Sequence, residues 1–557
     1  MNKPNKYQEK ILDCIQNEKS NILVSARAGC GKTSTLVMIS DLLEEGSMFL
    51  AFNKSIAEEL KVKIKNDKVS IFTINALGNK ILQTDYYQRK HDRVKVDGYK
   101  FNNIVKDEFY KEYNDLRLFI KGKYVNMIKN DLLNYCNSLR INAIDFEDID
   151  AKDIYFKKIE LDMNKDIGII EKYGNSGFIK RFSLDDDSKK SEIYYIDAYK
   201  LGINYNKLVK RIIQKDIEDY EKRGIIDFTD QIYLPNILNI KIPNDIREQS
   251  HNILGDESQD MNRAQHLLLK KLYNPLYNTR YIFVGDDRQA IYGFAGADCH
   301  SIENLKNMFN LKELPLNCCY RCPKTHIELA QKIVGDIEAY ENNKDGLVEE
   351  LKEKEMYEKV QCGDYIISRK NKYLTECALN IIKNNKPVMF LKFDISKALC
   401  SFVDNKDATT VNELINSIND ELEILQEESK EAKIKFNNGN AKIIDKIEEI
   451  SDEIDNLETI ALLVNNYIQE NKDNKSKNVS SLFSYVKSLF VTNPDLPHIL
   501  VSTVHKVKGS ETNNVFIIKH DEFPYTNDFM KEDQIKQELN LQYIAYTRAK
   551  DNLYLCN

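Results

Sequence analysis

A loop of small residues joins a strand-like run to a helix-like run near the start of the chain, in the segment LVSARAGCGKTSTL. Gly29 and Gly31 let the backbone turn so that its N–H groups point at an anion, and the following helix N-terminus adds partial positive charge. Lys32 is placed to reach outer phosphates, and the Thr33 hydroxyl is placed for Mg²⁺. The strict phosphate-loop pattern has glycine at the position of Ala26, so the match is imperfect. The loop predicts nucleoside triphosphate binding, which kinases, switches and motors share.

A carboxylate pair is expected as the partner of this loop, and it occurs in the segment NILGDESQDM. Asp256 suits Mg²⁺ coordination at a strand end, and Glu257 suits activation of an attacking water. The separation of 224 residues from Lys32 to Asp256 is too large for one compact nucleotide-binding sheet, so we expect an insertion between them. Its predicted extent is 86–220, with mainly helical structure.

A third strand-like run ends in the segment YIFVGDDRQAIYGFAGAD. Gln289 is placed to sense the terminal phosphate or its water, a role that glutamine has in other phosphohydrolases. Tyr292 and Phe294 follow in a glycine-containing loop, where aromatic rings could stack on exposed bases. Such residues on their own are more often core residues.

Two arginines follow later strand-like runs, Arg321 in LPLNCCYRCP and Arg548 in LQYIAYTRAKDNLYL. The planar guanidinium group matches phosphate oxygens and stays charged. We interpret both arginines as reaching across a cleft from a second sheet, opposite the phosphate loop. Two sheet domains closing on a nucleotide would result.

The net charge of −7 is unevenly distributed along the 557 residues. Residues 411–460 contain 14 acidic residues and 5 lysines, so the rest of the chain is close to +2 and has room for basic grooves. No run of about 18 apolar residues and no basic-then-apolar leader is present, which argues against a membrane span or signal peptide. The length predicts three or four domains.

The eleven cysteines are scattered, which is typical of reduced thiols in a cytosol. Cys318, Cys319 and Cys322 have metal-like spacing, but no second pair follows at ligand distance. We therefore interpret the cysteines as bystanders and predict no metal cluster there.

The order and the residues of these segments resemble the motifs of the UvrD/Rep branch of superfamily 1 helicases. The matching segments are DESQD, VGDDRQAIYGF, YRCP, TVHKVKGSE and YIAYTRA, with IIDFTDQI upstream of the acidic pair. They extend from Gln8 to Arg548 and leave out mainly the insertions. The resemblance implies binding of single-stranded DNA across two RecA-like domains and ATP-driven stepping, usually 3′ to 5′.

The resemblance also assigns roles to residues. For hydrolysis it implies Lys32, Asp256, Glu257, Gln289, Arg321 and Arg548. For ATP and Mg²⁺ it implies Gln8 at the adenine, the loop residues Ala28, Gly29, Cys30, Gly31, Lys32, Thr33 and Ser34, Tyr320 near the adenine and Glu511 near the ribose, with Thr33 and Asp256 on the metal. For DNA it implies Phe52, Asn53, Thr73, Asn75, Tyr292, Phe294, Thr503 and His505.

Four positions depart from the common pattern of the family. Phe294 stands where many relatives have Trp, Ala295 replaces a frequent Arg, Asn75 stands where His is common, and Ser510 where Leu is. None of them belongs to the hydrolytic set. The departures therefore bear on DNA affinity and step efficiency.

The implied fold class is α/β, with two RecA-like domains built on parallel sheets and a mainly helical insertion in each. The first domain is expected in residues 1–85 and 221–290, with the insertion 86–220. The second is expected in 291–392 and 494–557, with an acidic insertion at 393–493.

The acidic insertion contains two runs with apolar residues at helical spacing, separated by NNGN at 437–440. This pattern predicts an antiparallel helical hairpin with charged outer faces. Two interpretations stay open: a solvated structural insertion, or an accessory arm that contacts duplex or a partner. Its acidity favours a protein partner over bare DNA.

We therefore predict an ATP-dependent single-stranded DNA translocase or helicase acting in replication, repair or recombination, with single-strand/duplex junctions as substrates. The alternative is a DNA-stimulated ATPase subunit of a larger recombination or defence complex, in which unwinding is incidental. The expected location is cytoplasmic, or that of a viral protein acting in host cytoplasm or nucleoid. No membrane partner is expected.

Overall fold

The computed structural model is a mixed α/β structure with two six-stranded parallel sheets, which confirms the predicted fold class. The structure describes residues 3–113, 122–145, 159–161, 179–183, 192–196, 205–291, 298, 300–391, 399, 410–437, 444–471, 478–526, 530 and 532–557. Within these ranges no helix is both long enough and apolar enough to cross a membrane.

The first sheet consists of six parallel strands. Their spatial order is Lys312–Leu316, Ile22–Ala26, Arg280–Gly285, Asn252–Gly255, Ser47–Ala51 and Val69–Thr73. Central strands such as Arg280–Gly285 are buried at every position, as expected when helices cover both faces of a parallel sheet. The helices of this half are Lys6–Asn17, Lys32–Asp41, Lys54–Lys63, Ile74–Lys90, Asp230–Ile237, Asn244–Arg247, Arg263–Lys271 and Ser301–Phe309.

The predicted domain boundary between 290 and 291 is wrong for one strand. Lys312–Leu316 pairs in parallel with Ile22–Ala26 and forms the edge of the first sheet, whereas the sequence predicts it in the second domain. Its sequence KELPL carries polar residues and a proline, which an edge strand tolerates. The described strands of the first sheet therefore all end by Leu316, and those of the second begin at Leu347.

The second sheet is also parallel throughout. Its order is Leu347–Leu351, Ala549–Cys556, Thr512–Ile518, Tyr365–Ser368, Ile499–Thr503 and Val388–Phe390. Its helices are Lys324–Gln331, Glu353–Lys359, Asn371–Lys383, Val504–Val507 and Glu532–Tyr546. A short parallel pair, Cys318–Cys319 with Glu338–Ala339, lies on the chain between the two sheets.

The first insertion is built on the helices Lys100–Tyr113, Gly122–Ile141 and Tyr205–Arg223. It also contains an antiparallel sheet that the sequence did not lead us to predict, with strands Ile159–Leu161, Glu192–Ile196 and Ile179–Ser183. The insertion is joined to the first domain by the short parallel pair Lys95–Val96 and Ile225–Ile226. Its apolar side chains, such as Phe109 and Ile212, belong to the same buried cluster as those of the first sheet.

The acidic insertion contains the helices Val411–Asn437 and Ile444–Glu470, followed by Val479–Leu489. The first two helices pack along their apolar faces, and a bridge between Thr410 and Asn478 brings the two ends of the insertion together. We call these two helices the arm. Asp455 of the arm accepts the backbone N–H groups of Asn371 and Lys372 at 2.8 and 3.0 Å, so the arm caps the helix Asn371–Lys383 of the second domain.

Candidate nucleotide and DNA sites

The phosphate loop lies between the strand Ile22–Ala26 and the helix Lys32–Asp41, as the sequence predicted. Gly29 and Gly31 have φ values of +67° and +79°, in the left-handed region that favours glycine. A Cβ at Gly29 would lie 2.7 Å from the Cβ of Arg321. Glycine is therefore needed there for both its conformation and its lack of a side chain.

Lys32 lies at the start of the helix and contacts the predicted base. Its Nζ donates to Oε1 and Oε2 of Glu257 at 2.8 and 2.9 Å. Burial opposes the charge on Lys32, but the carboxylates of Glu257 and Asp256 hold its pKa above the ordinary value. Burial likewise opposes ionisation of Glu257, but Lys32 and Lys508 lower its pKa to about 2. The two side chains therefore form a partly buried ion pair.

The carboxylate pair lies directly after the strand Asn252–Gly255. Burial and the neighbouring charge of Glu257 raise the pKa of Asp256 to about 7. Glu257 has a φ of +47°, an uncommon conformation for a residue with a side chain and one often found at functional sites. A cation beside Asp256 would relieve the repulsion between the two carboxylates.

Gln289 is buried, and its amide Nε2 donates to Asp286 Oδ2 at 2.7 Å. Asp286 ends the strand between the two strands that carry the phosphate loop and the carboxylate pair. Its backbone N–H donates to Gln259 Oε1 at 3.0 Å. Arg27 Nη1 lies 3.2 Å from Asp286 Oδ1 and 2.7 Å from Asp287 Oδ1. Sequence reasoning gave no role to Arg27, Gln259 or Asp286, although the position of Asp286 at a strand end was a usable signal.

Gln8 and Tyr320, the two residues predicted at the adenine, both lie against the phosphate loop. Gln8 Nε2 donates to Thr35 Oγ1 at 3.0 Å, and its Oε1 accepts the N–H of Asn5 at 3.1 Å. The side-chain amide of Asn5 also donates to the Tyr320 hydroxyl at 2.7 Å. Asn5 therefore links the two residues, and the ring of Tyr320 lies 4.7 Å from that of Tyr340.

Arg321 does not come from the second sheet, so that part of the prediction is wrong. It follows the edge strand Lys312–Leu316 of the first sheet and lies against Gly29 of the loop. Its guanidinium group forms an ion pair with Glu511, which follows the second-sheet strand Ile499–Thr503 in the chain. Glu511 also lies 3.0 Å from Lys550 Nζ. The ribose contact of Glu511 stays a prediction.

Arg548 does come from the second domain, immediately before the strand Ala549–Cys556. Its guanidinium group is buried and donates to Ile544 O at 2.9 Å, Ser510 O at 3.3 Å and Thr547 Oγ1 at 3.1 Å. Burial, together with the charge of Arg321, lowers the pKa of Arg548 to about 10. Because these acceptors are all neutral, an anionic ligand would stabilise this buried cation.

Side chains of the second domain close the cleft against the first. The hydroxyl of Tyr543 accepts the N–H of Ala28 in the phosphate loop at 2.8 Å. Lys508 Nζ donates to both carboxylate oxygens of Asp260 at 2.9 and 2.6 Å and to Gln289 O at 2.7 Å. Neither Tyr543 nor Lys508 was singled out from the sequence, because their importance depends on how the two domains meet.

The fit to ATP and Mg²⁺ can be judged from these groups. The loop offers backbone N–H groups, Lys32 is a partly buried cation at its end, and Arg548 is a buried cation of the second domain. Within the described ranges no group of three or more His, Cys, Asp or Glu is arranged to hold a metal. Mg²⁺ bound with nucleotide needs only one or two protein ligands besides phosphates, which Thr33 and Asp256 fit by residue type.

The predicted DNA residues in the first domain lie where strands end and helices begin. Phe52 is 37% exposed and follows the strand Ser47–Ala51, and Asn53 caps the next helix by accepting the N–H of Ile56 at 2.9 Å. Thr73 ends the strand Val69–Thr73 and caps the helix Ile74–Lys90. Asn75 Nδ2 donates to the carbonyl of Phe228 at 2.8 Å.

The second domain has a matching arrangement. Thr503 ends the strand Ile499–Thr503 just as Thr73 ends its strand, and a helix follows directly. His505 is half-buried, and burial together with Arg369 lowers its pKa to about 3, so its ring is neutral. Tyr292, Phe294 and Ala295 lie outside the described residues.

Phe228 is an exposed aromatic residue that sequence reasoning missed. Its side chain is 63% exposed, and its backbone is held by Asn75. Asp227 and Asp230 on either side are buried with Arg140, which lies 2.6 and 2.8 Å from them. An aromatic residue within IIDFTDQI, a segment already matched to the family, was the available signal.

The fold and the site together define a superfamily 1 helicase: two parallel sheets, a phosphate loop with its carboxylate pair on one side, and a buried arginine on the other. Family comparison agrees. Residues 5–310 match the UvrD/REP helicase N-terminal domain, and residues 498–556 match the UvrD-like helicase C-terminal domain. The chain belongs to the UvrD/Rep helicase family.

Individual relatives carry names of the same kind. ATP-dependent DNA helicase Rep of Buchnera aphidicola subsp. Acyrthosiphon pisum is 26% identical over 546 residues, covering 78% of this chain and 84% of that protein. A Mycoplasma pneumoniae protein called "Probable DNA helicase II homolog" is 31% identical over 204 residues, 34% of this chain and 28% of the relative. DNA helicase II of Escherichia coli is 27% identical over 173 residues, 28% of this chain and 24% of the relative.

Proposed function

We propose that this protein is an ATP-dependent translocase on single-stranded DNA that unwinds duplexes at single-strand/duplex junctions, moving 3′ to 5′. The observation that carries the proposal is the joining of the two half-sites. Lys508 of the second domain donates to the backbone carbonyl of Gln289, and Tyr543 of the second domain accepts the N–H of Ala28 in the phosphate loop. A change at the phosphates can therefore alter the contact between the domains.

The hydrolytic step follows from these side chains. When bound, ATP and Mg²⁺ supply the phosphoanhydride bond and the charge that neutralises its oxygens. Lys32 exchanges the carboxylate of Glu257 for phosphate oxygens, and Glu257 is then free to accept a proton from water at its carboxylate oxygens. Gln289 orients that water, and Arg548 stabilises charge that develops on the phosphate.

The DNA path is proposed to run over the strand ends of both domains. Phe52 and Phe228 are exposed rings suited to base stacking, and Thr73 and Thr503 each end a strand, one in each sheet. Because these residues belong to separate domains, closure and opening of the cleft would change their spacing. Such alternation converts ATP turnover into stepping along the strand.

A strand-displacement assay tests the proposal. Duplexes with a 3′ or a 5′ single-stranded tail, made of DNA or RNA, are incubated with ATP and Mg²⁺, and the Glu257→Gln variant serves as the hydrolysis-deficient control. We expect displacement of the 3′-tailed DNA duplex alone. Stimulation of ATPase by single-stranded DNA without displacement of any duplex would favour the alternative, an ATPase subunit of a larger complex.

A further inference from the structure

The chain between the two sheets contains a C-x-x-C turn, Cys319-Tyr320-Arg321-Cys322. One side-chain amide closes this turn. Asn343 Nδ2 donates to the carbonyl oxygens of Cys319 and Cys322, each at 2.8 Å. Two carbonyl oxygens that share one donor must lie close together, so the backbones of the two cysteines approach each other. All nine cysteines in the described part of the chain are free thiols.

The two thiols of the turn are chemically unequal. A hydrogen bond from Cys322, together with nearby backbone N–H groups and despite burial, lowers the pKa of Cys319 to about 7. The same hydrogen bond and burial raise the pKa of Cys322. A low-pKa thiol that attacks and a neighbouring thiol that resolves are the two parts that intramolecular disulfide formation needs.

The turn also contacts both halves of the nucleotide site. The Sγ of Cys319 would lie 2.8 Å from a Cβ at Gly29, and Tyr320 N donates to Gly29 O at 2.9 Å. On the other side, Cys322 Sγ donates to Thr547 O at 3.5 Å, next to Arg548. A covalent change in the turn would therefore alter contacts with both the phosphate loop and the second domain.

We propose that Cys319 and Cys322 are a reversible redox site, which forms a disulfide with a small-molecule disulfide as oxidant and thereby stops ATP turnover. The modification does not depend on the proposed function, whereas its effect on turnover rests on it.

The reaction balances in two exchanges. The thiolate of Cys319 attacks one sulfur of the oxidant, forms a mixed disulfide and releases one small-molecule thiolate. The thiolate of Cys322, after losing its proton to solvent, then attacks the Cys319 sulfur and releases the second small-molecule thiolate. The protein loses two electrons and two protons, and the oxidant is reduced to two thiols.

The expected effect on turnover follows from the contacts of the turn. Bonding the sulfurs brings them closer than non-bonded contact allows, which moves Cys319 relative to Gly29 and withdraws the Cys322 thiol from Thr547. Arg321 lies between the bonded residues and pairs with Glu511 across the cleft. The disulfide therefore displaces a predicted phosphate-binding arginine and restrains the chain that connects the domains.

Access to the thiols depends on the cleft. Both side chains are buried, and the atoms that contact them include Gly29 of the first domain and Thr547 of the second. The oxidant can reach Cys319 only when these contacts loosen. A non-hydrolysable ATP analogue with Mg²⁺, which holds the two half-sites together, is therefore expected to slow the reaction.

The test uses the full chain treated with oxidised glutathione, followed by removal of the oxidant, intact-mass measurement and peptide mapping under non-reducing conditions. We expect a Cys319–Cys322 linkage with a mass loss of about 2 Da, at least a tenfold loss of ATPase, and recovery of both with dithiothreitol. Cys362→Ser, which removes an exposed thiol far from the turn in sequence, is the matched control and should respond like the wild type.

Cys322→Ser distinguishes a disulfide from damage elsewhere. Before any reductant is added, this variant should carry a glutathione adduct on Cys319 and no internal linkage, whereas the wild type should carry the internal linkage and no adduct. The proposal is overturned if mapping links Cys319 to Cys30 or to another cysteine, if no linkage forms, or if the linked protein keeps its ATPase. Failure of all ATPase before oxidation would instead count against the proposed function.

Discussion

The ammonium group of Lys32 is held by both carboxylate oxygens of Glu257, at 2.8 and 2.9 Å. The residue predicted to bind phosphate and the residue predicted to act as base thus neutralise each other. Each of these partly buried charges would be costly without the other, so we expect the pair to persist until phosphate oxygens replace the carboxylate. Binding of nucleotide and release of the base are therefore coupled.

Glu257→Gln tests this coupling. The amide can no longer accept a proton or form the ion pair, so ATP hydrolysis should fall by about two to four orders of magnitude while ATP binding remains or tightens. Single-turnover hydrolysis and equilibrium binding of a fluorescent ATP analogue measure the two effects. Glu58→Gln, at an exposed glutamate of the helix Lys54–Lys63, is the control and should behave like the wild type. Near-normal turnover in Glu257→Gln would remove Glu257 as the base.

Phe228→Ala tests the exposed aromatic residue beside Asn75. Loss of one base stack should weaken binding of single-stranded DNA by about 1–3 kcal/mol. DNA-stimulated ATPase should fall with it, while basal ATPase and melting temperature stay unchanged because the ring is 63% exposed. Fluorescence anisotropy with labelled oligonucleotides measures the affinity. Leu276→Ala, an exposed apolar residue elsewhere on the first domain, is the control. Unchanged affinity in Phe228→Ala would exclude this contact.

Lys508→Met tests the contact that closes the cleft. The change removes the buried ion pair with Asp260 and the hydrogen bond to Gln289 O. The Asp260 carboxylate is then buried without its cation, and opening of the cleft would stabilise it by exposing it to water. The nucleotide-free variant should have a larger radius of gyration in small-angle scattering than the wild type. A non-hydrolysable ATP analogue should reduce the difference. Lys487→Met, at an exposed lysine of the helix Val479–Leu489, should scatter like the wild type. Equal radii for Lys508→Met and wild type would contradict a closing role.

Asp455→Ala tests the anchoring of the arm. Its carboxylate caps two N–H groups of the helix Asn371–Lys383, and loss of such a cap costs about 0.5–2 kcal/mol. Urea unfolding followed by circular dichroism should show this loss of stability. Glu423→Ala, an exposed acidic residue of the same arm, should change stability little. If both variants unfold alike, the arm is not anchored through Asp455.

The chemistry at the strand ends was predictable from the sequence because it depends on local patterns. Lys32, Asp256 and Gln289 each follow an apolar run in the order that a phosphate-loop sheet requires, and the structure brings them to one edge. The hairpin of two long helices was likewise predictable, because its apolar residues recur at helical spacing. Such features can be predicted because they depend on residues that are close together in the sequence.

The errors arose where the answer depends on distant partners. The strand Lys312–Leu316 has the composition of an edge, and only its pairing with Ile22–Ala26 reveals its sheet. Arg321 was misassigned with it. Tyr543, Lys508 and Asp455 act across contacts between separately folded parts, and no spacing in the sequence encodes those contacts.

The placement of Lys312–Leu316 beside Ile22–Ala26 also bears on how the protein is made. Synthesis proceeds from the N-terminus, and every described strand of the first sheet has been synthesised once residue 316 has been added. The phosphate loop and its carboxylate pair can therefore fold when 232 more residues must still be added to reach Arg548. A nascent chain of this protein would carry the predicted ATP-binding loop before it carries the arginine that we propose acts in turnover.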